Sequence, residues 1–325
     1  MICARRLGPL LLTLASIAPG IAHAQLGCSV GMSSIQFGNV NQIGAPATTV
    51  TGTMSLSCSG ATQPYVRICI ALGAPVDSSW TPRYLYRPDG ARMAYNIYTD
   101  PGHTQIWGSA YSTAGTQREV DLPMNYGSGH TTLPYYARVP VQNSVGAGTY
   151  ITTFTYANDA AVRAVEYSDS PPTCNSSMPI VSRFEFGVSG HVAPDCTISA
   201  SALDFGVVGV ELTRKSAQAT GSVSIRCLSD LPYSIALDAG NGSGATVAHR
   251  LMTRNGSSDT LAYGLYADLA HTQLWGDGSS GTQTVSGTGL GSQLTVPHLV
   301  YGKLDAQELP PFGKYRDRIT VTITF

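Results

Sequence analysis

Residues 95–108 read YNIYTDPGHTQIWG and residues 263–276 read YGLYADLAHTQLWG. Eight of these fourteen positions are identical and two more exchange Ile for Leu. Self-similarity at a long fixed spacing means two copies of one unit, not one large fold. The register extends along the chain: Cys28 matches Cys196, Phe37-Gly38 matches Phe205-Gly206, Cys58 matches Cys227 and Tyr150 matches Tyr315. A length of 325 residues gives each copy enough chain to bury its own core. The differences between the copies therefore hold most of the functional information.

Within each copy the apolar residues alternate. Met54-Leu56-Cys58, Val66-Ile68-Ile70, Val223-Ile225-Cys227 and Ile235-Leu237 follow a period of two, and Gly, Pro and Asn bound the runs. Such a period places the apolar residues on one face of a strand. No long stretch has helical periodicity. The expected fold is all-β: two immunoglobulin-like sandwiches in tandem, with about six strands each. Only 12% of residues are charged and the formal net charge is −1, with no basic run. A nucleic-acid partner, which needs clustered Lys and Arg, is not expected.

Residues 1–24 read as a targeting segment. Arg5 and Arg6 precede a short apolar run, and Ala22-His23-Ala24 is a small-x-small cleavage site. The mature chain is expected from Gln25, with one copy over 25–191 and the other over 192–325. Export favours disulfides, and Cys3 leaves with the segment. Six cysteines allow 15 connectivities. The repeat makes Cys28–Cys58 and Cys196–Cys227 equivalent bridges, and Cys69–Cys174 pair by elimination. No CxxC spacing points to a metal, and no cofactor is expected. His103 and His271 stand in the repeated HTQ motif behind Asp100 and Asp268. Because both copies carry it, the motif reads as a structural turn, with Trp107 and Trp275 in the cores. No GxSxG, HExxH or phosphate-loop pattern appears, so no enzyme activity is expected.

Two differences stand out. Copy two closes on YRDRITVTITF, where Ile319, Val321, Ile323 and Phe325 share one face. Copy one is expected to have its equivalent strand at 149–156 and to continue through a connection, 157–178. PIVSRFEFGVSGHV follows, with Ile180, Phe184, Phe186, Val188 and Val192 of one parity. This is an additional strand. Copy two is expected to lack it, leaving an open cleft bordered by Ile319, Val321, Ile323 and Phe325 that takes a strand from another chain. Copy one also carries apolar residues on segments that copy two makes polar or lacks. Val76 and Trp80 lie on 73–84, and Val162, Val165 and Tyr167 on 157–178, which is expected at the end away from copy two. Tyr111 lies on the connection at about 99–117. These six are the candidate surface-binding residues, and loop 73–84 ranks second because its position is harder to derive.

The starting Cys of each copy, the Phe-Gly pair nine residues later, the second Cys and the terminal Gly-x-Tyr before a Thr-alternating strand carry a family resemblance. They stand here as Cys196, Phe205-Gly206, Cys227, and Gly313-Lys314-Tyr315 with ITVTITF. The chain resembles the spore coat protein U domain family, and more narrowly the two-domain tip adhesins of archaic chaperone–usher pili. That resemblance implies export through the periplasm to the cell surface, and surface attachment and biofilm formation at a pilus tip. The implied partners are a periplasmic chaperone, an outer-membrane usher, an adjacent pilus subunit and a surface or receptor of unknown type. Only Gln25, Leu26 and Gly27 precede Cys28 in the expected mature chain, too few to form a donor strand, which fits a subunit that receives a strand without giving one. A coat or matrix protein that shares the domain without a pilus is the alternative expectation.

Overall fold

The structure is a computed structural model and describes residues 25–75 and 78–325. The targeting segment expected over 1–24, and Val76, lie outside the described residues. The first sandwich contains β1 (Gly27–Met32), β2 (Ile35–Asn39), β3 (Thr48–Ser59), β4 (Tyr65–Ala71), β5 (Arg83–Tyr86) and β6 (Arg92–Tyr98). It continues with β7 (Arg118–Pro123), β8 (Ser128–Val139), β9 (Gly148–Phe154), β10 (Ala161–Tyr167), β11 (Ile180–Arg183) and β12 (Phe186–Val192). The second contains β13 (Cys196–Ala200), β14 (Ala217–Cys227), β15 (Pro232–Leu237), β16 (Arg250–Arg254), β17 (Thr260–Tyr266), β18 (Val285–Thr288), β19 (Val296–Leu304), β20 (Tyr315–Arg316) and β21 (Val321–Thr324).

Strand parity explains the layers. In β14, Val223, Ile225 and Cys227 are buried while Ser222, Ser224 and Arg226 face outward. The sheets stack their buried faces, giving one core per copy. The main sheet of the first sandwich has the order β1-β3-β8-β6-β5-β9-β12-β2, and that of the second has β13-β14-β19-β17-β16-β20. The first six places correspond one to one. The smaller sheets, β11-β10-β4-β7 and β18-β15-β21, share three places in mirrored listing order. The first copy thus differs from the second by β12 and β2 at one sheet edge and by β11.

The six cysteines form three disulfides: Cys28–Cys58, Cys69–Cys174 and Cys196–Cys227. The first and third join directly opposed residues of β1 and β3, and of β13 and β14. Constraining the unfolded chain this way typically contributes about 2–4 kcal/mol per bridge. The HTQ turns are built alike. Asp100 accepts backbone N–H bonds from Thr104 and Gln105 at 3.0 and 2.7 Å, and Asp268 does the same for Thr272 and Gln273 at 3.0 and 2.8 Å. The indole N–H of Trp107 donates to Ile70 O at 2.8 Å and that of Trp275 to Ile235 O at 3.0 Å, and both rings are buried. Tyr150 and Tyr315 each donate their hydroxyl to the carbonyl four residues upstream, a tyrosine corner in both copies.

One register expectation is corrected. Val162 lies opposite Ile70 and Ile323 lies opposite Ile235. Ile70 and Ile235 are the two residues that receive the tryptophan N–H, so Val162 is the counterpart of Ile323. The counterpart of β21 is therefore β10, not residues 149–156. Twelve positions separate Tyr150 from Val162 and eight separate Tyr315 from Ile323. The excess of four is taken up around a single 3-10 turn, Tyr156–Asn158. Residues 157–178 are accordingly not one loop: the segment contains β10, a strand of the smaller sheet.

Candidate functional site

At the edge of the first main sheet, β12 runs antiparallel to β9 and parallel to β2. Phe186, Val188 and Val192 are buried, and Phe186 stacks on Phe154 with ring centroids 4.5 Å apart. The second sandwich has no strand in this place among the described residues. Its counterpart of β2, residues 203–207, forms no strand, and the main sheet stops at β20. Between them runs a cleft of ≈ 500 Å³ lined by Leu203, Phe205, Tyr263, Tyr315, Ile319 and Val321, among others. The consequences are visible residue by residue. Ile35, Phe37 and Tyr150 are buried, whereas Leu203, Phe205 and Tyr315 are only half-buried. The second core is exposed where the first is sealed, and the backbone along its flanks lacks a ladder partner.

A second concavity, of ≈ 580 Å³, lies at the far end of the first sandwich. Strand direction places it there: β12 enters opposite Phe154 and leaves opposite Gly148 toward the segment 193–195 and β13. Phe154 and the following turn are therefore remote from the junction. β4 and β6 also end at that pole, so residues 72–75, 78–82 and 99–117 meet the turn 155–160 there. Leu72 N–H donates to Gly108 O at 2.9 Å, and Ser109 Oγ donates to Asp159 Oδ2 at 2.6 Å. The pocket is lined by Trp80, Tyr111, Tyr156, Asn158, Asp159 and Arg183, together with two alanines. Tyr111 and Tyr156 are 65% and 58% exposed. Behind them Arg163 is fully buried, donating through Nη2 to Asp159 Oδ1 at 2.9 Å and to the Tyr111 hydroxyl at 3.2 Å. Its Nε and Nη1 have no partner among the described residues.

Comparison with known proteins accounts for the repeat. A family model described as the spore coat protein U domain matches residues 13–157 and again 182–322. The chain belongs to the spore coat protein U domain family. A curated relative, Protein U of Myxococcus xanthus, is 38% identical over 113 residues, which cover 33% of this chain and 59% of that protein. The chain thus spans less than two thirds of the length of that relative. A solved structure covers 92% of this chain and 100% of its own, at 18% identity and a TM-score of 0.52. It comes from the CsuC–CsuE complex of chaperone and tip adhesion subunit, from archaic chaperone–usher Csu pili of Acinetobacter baumannii. At that identity the likeness concerns the fold.

In this member of the family the candidate acceptor residues separate into two groups. Ile319 and Val321 line the cleft. Ile323 does not: it lies opposite Ile235 in the smaller sheet and packs on the core. Phe325 follows the last paired residue, Thr324, and is 48% exposed. The four share one parity, but the chain changes sheets between β20 and β21, so only the first two face the gap.

The candidate contact residues are redistributed as well. Val162 is 0% exposed and belongs to the first core, so it is no contact residue. Val165 is half-buried opposite Arg67, and Tyr167 stacks on Tyr65 with centroids 5.5 Å apart. β10 carries both away from the distal pole, contrary to the expected position. Trp80 and Tyr111 stand together at that pole, so loop 73–84, ranked second on sequence grounds, shares the distal pocket. Tyr156, Asp159, Arg163 and Arg183 were not singled out from sequence. Arg163 carried a readable signal, a charge within AVRAVEY at a position flanked by apolar residues. The rest of 157–178 also has a place. Residues past Tyr167 return across the outer face of the smaller sheet, where Cys174 bonds Cys69 and Met178 Sδ lies 3.4 Å from Cys69 Sγ.

Proposed function

We propose that this chain is the adhesive tip subunit of a chaperone–usher pilus, exported through the periplasm to the cell surface. In this reading the second sandwich accepts a strand, first from a periplasmic chaperone and then, at the usher, from the next subunit. The first sandwich makes the contact that leads to attachment and biofilm growth. The role is one of binding and assembly, without catalysis.

The observation that carries the reading is the pair of sheet edges. The same sheet continues through β12 and β2 in one copy and stops two strands short in the other, where neither has a counterpart strand among the described residues. The filled copy specifies what the open one takes. A strand laid as β12 is would run antiparallel to residues 313–319, with its small position opposite Tyr315, because Gly190 lies opposite Tyr150. A Cβ on Gly190 would meet Val40 and Met93 at 3.1 and 3.2 Å. Val208 and Leu261 occupy the corresponding places in the second copy. The ligand is thus a strand with alternating bulky residues and one glycine, held by main-chain hydrogen bonds along an open edge.

The test is a titration of the full chain with a peptide copying residues 184–193. Preferential binding to the folded form raises the melting temperature of the second sandwich. A peptide with valine in place of the glycine is expected to bind more weakly. No shift at saturating peptide would remove the acceptor role. The match to Protein U favours a second reading, a coat or matrix protein without a pilus. Recovery of the intact chain in complex with a coexpressed periplasmic pilus chaperone separates the two.

A further inference from the structure

The distal pocket has features that an apolar contact patch does not need. Its walls are aromatic: Trp80, Tyr111 and Tyr156 come from three different segments, and the two tyrosines are more than half exposed. Its polar groups are fixed and are mostly donors. The acid that lines it, Asp159, is already engaged at both oxygens: Oδ2 accepts from Ser109 Oγ and from the Ala110 N–H at 3.0 Å, and Oδ1 accepts from Arg163. The Tyr111 oxygen accepts from Arg163 Nη2, which leaves the phenolic proton free to donate outward. Asn158 uses its carbonyl oxygen to accept from the Thr155 N–H at 2.7 Å, and its NH₂ has no partner among the described residues. Arg183 is exposed at the rim, with Nη1 on Tyr156 O at 3.0 Å. Asp159 and Arg163 neutralise each other with a 2.9 Å contact, so the remaining lining charge among the described residues is the Arg183 cation.

The position of these groups in the chain is also informative. Asn158, Asp159 and Arg163 lie in 158–181, the segment between the two family matches. The second copy has Thr324 where the first has Arg163, since Ile323 corresponds to Val162. A buried guanidinium with two unpartnered nitrogens is costly, and here it underlies one wall of an open pocket at the pole remote from the second sandwich.

From this we infer that the distal pocket is a saccharide site, specific for a sugar residue that carries a carboxylate. The inference deepens the adhesive role proposed above and rests on it. A pyranose ring presents an apolar C–H face that stacks on Trp80 or the tyrosines, in the manner of other apolar groups on aromatic faces. Its ring and hydroxyl oxygens accept from Tyr111 and Asn158, and its carboxylate pairs with Arg183, whose planar fork suits a carboxylate. The three segments are tied together before any ligand arrives, which limits the ordering cost of binding.

The experiment uses the full mature chain, titrated with 3′-sialyllactose, tri-galacturonic acid and lactose, with tryptophan fluorescence and ligand-observed NMR as readouts. Saturable binding of at least one acidic sugar is expected, at least tenfold tighter than lactose. Trp80→Ala and Arg183→Gln are each expected to weaken it at least tenfold with an unchanged melting temperature, because both side chains are at least partly exposed. Equal binding of lactose overturns the acidic specificity. Acidic-sugar binding that neither variant alters places the sugar elsewhere and overturns the site. No binding of either acidic sugar at millimolar concentration overturns the saccharide inference. Surface attachment measured on the same variants tells the two readings apart. Attachment that still depends on Trp80 while no sugar binds leaves the adhesive role standing without the sugar.

Discussion

Val162 and Trp80 were both candidate contact residues, and the structure separates them by burial. The run AVRAVEY contains a strand, but Arg163 interrupts its apolar character and disguises the parity. In the structure Val162 and Ala164 face the core, while Arg163 lies on the other face, enclosed with Asp159 and Tyr111. Val162→Asp is therefore expected to cost several kcal/mol, the penalty of an unpaired buried carboxylate. Tyr167→Ser, at the half-buried end of the strand, is expected to cost far less. Denaturant midpoints of the two variants check this, and equal midpoints would return Val162 to the surface. The repeated aspartates allow a pH test. Backbone N–H bonds, chiefly from Gln105 and Gln273, hold the Asp100 and Asp268 carboxyls below their ordinary value of 3.8. A depressed carboxylate stabilises the fold above that value, and the contribution is lost as pH falls below 3.8 through the folded-state value. The double variant D100N/D268N is thus expected to be less stable than the parent at neutral pH, with the gap closing in stronger acid. Thermal melts at a series of pH values read this directly.

At the scale of elements, the additional strand was legible only in part: the run from Ile180 to Val192 is not one strand but two, β11 beside β10 in the smaller sheet and β12 in the main sheet, and Ile180 is 37% exposed. The parity of Phe186, Val188 and Val192 marks a half-buried strand wherever it docks, and it docks beside β9. The four-residue excess after β9 was not legible, because alternation continues through Thr149–Tyr156 as well as through Ala161–Tyr167 and gives no sign of which belongs to which sheet. The change of sheet between β20 and β21 was hidden for the same reason: a period of two is blind to the sheet a strand joins. Two outcomes follow from β12. Gly190→Val is expected to destabilise the first sandwich by about 1–3 kcal/mol, the usual cost of overpacking, since Val40 and Met93 already limit the space. Residues 184–193 copied after Phe325 through a flexible glycine-serine linker are expected to fill the second cleft and raise the lower melting transition. A fused chain that melts like the parent would show that the gap between 203–207 and 315–321 is not a strand site.

At the scale of the whole molecule the two sandwiches are unequal, and the repeat alone does not show how they meet. The sequence of the second copy contributes to the first core: Leu228, directly after Cys227, is 0% exposed and belongs to the first cluster. Around it the segments 142–143 and 291–293 are hydrogen-bonded. Ser292 N–H donates to Asn143 O at 3.3 Å, Ser292 Oγ to Gln142 O at 2.9 Å and Gln293 N–H to Asn143 Oδ1 at 2.9 Å. Gly291 has φ +119°, and a Cβ there would stand 2.2 Å from Asn143 O. No sequence pattern announced this junction, because it is made of loop backbone and one leucine that reads as the end of a strand. Such a junction couples the second sandwich to the first, so its stiffness affects how a displacement of one reaches the other. Gly291→Ala is expected to disengage the loops, seen as greater relative motion of the sandwiches in NMR relaxation and as a larger radius of gyration in small-angle scattering. Leu228→Ala is expected to lower the stability of the first sandwich by about 2–5 kcal/mol, as for other buried leucines, although the residue belongs to the repeat of the second. If Leu228→Ala instead lowers only the transition of the second sandwich, the junction is a tether and the two halves carry no common core.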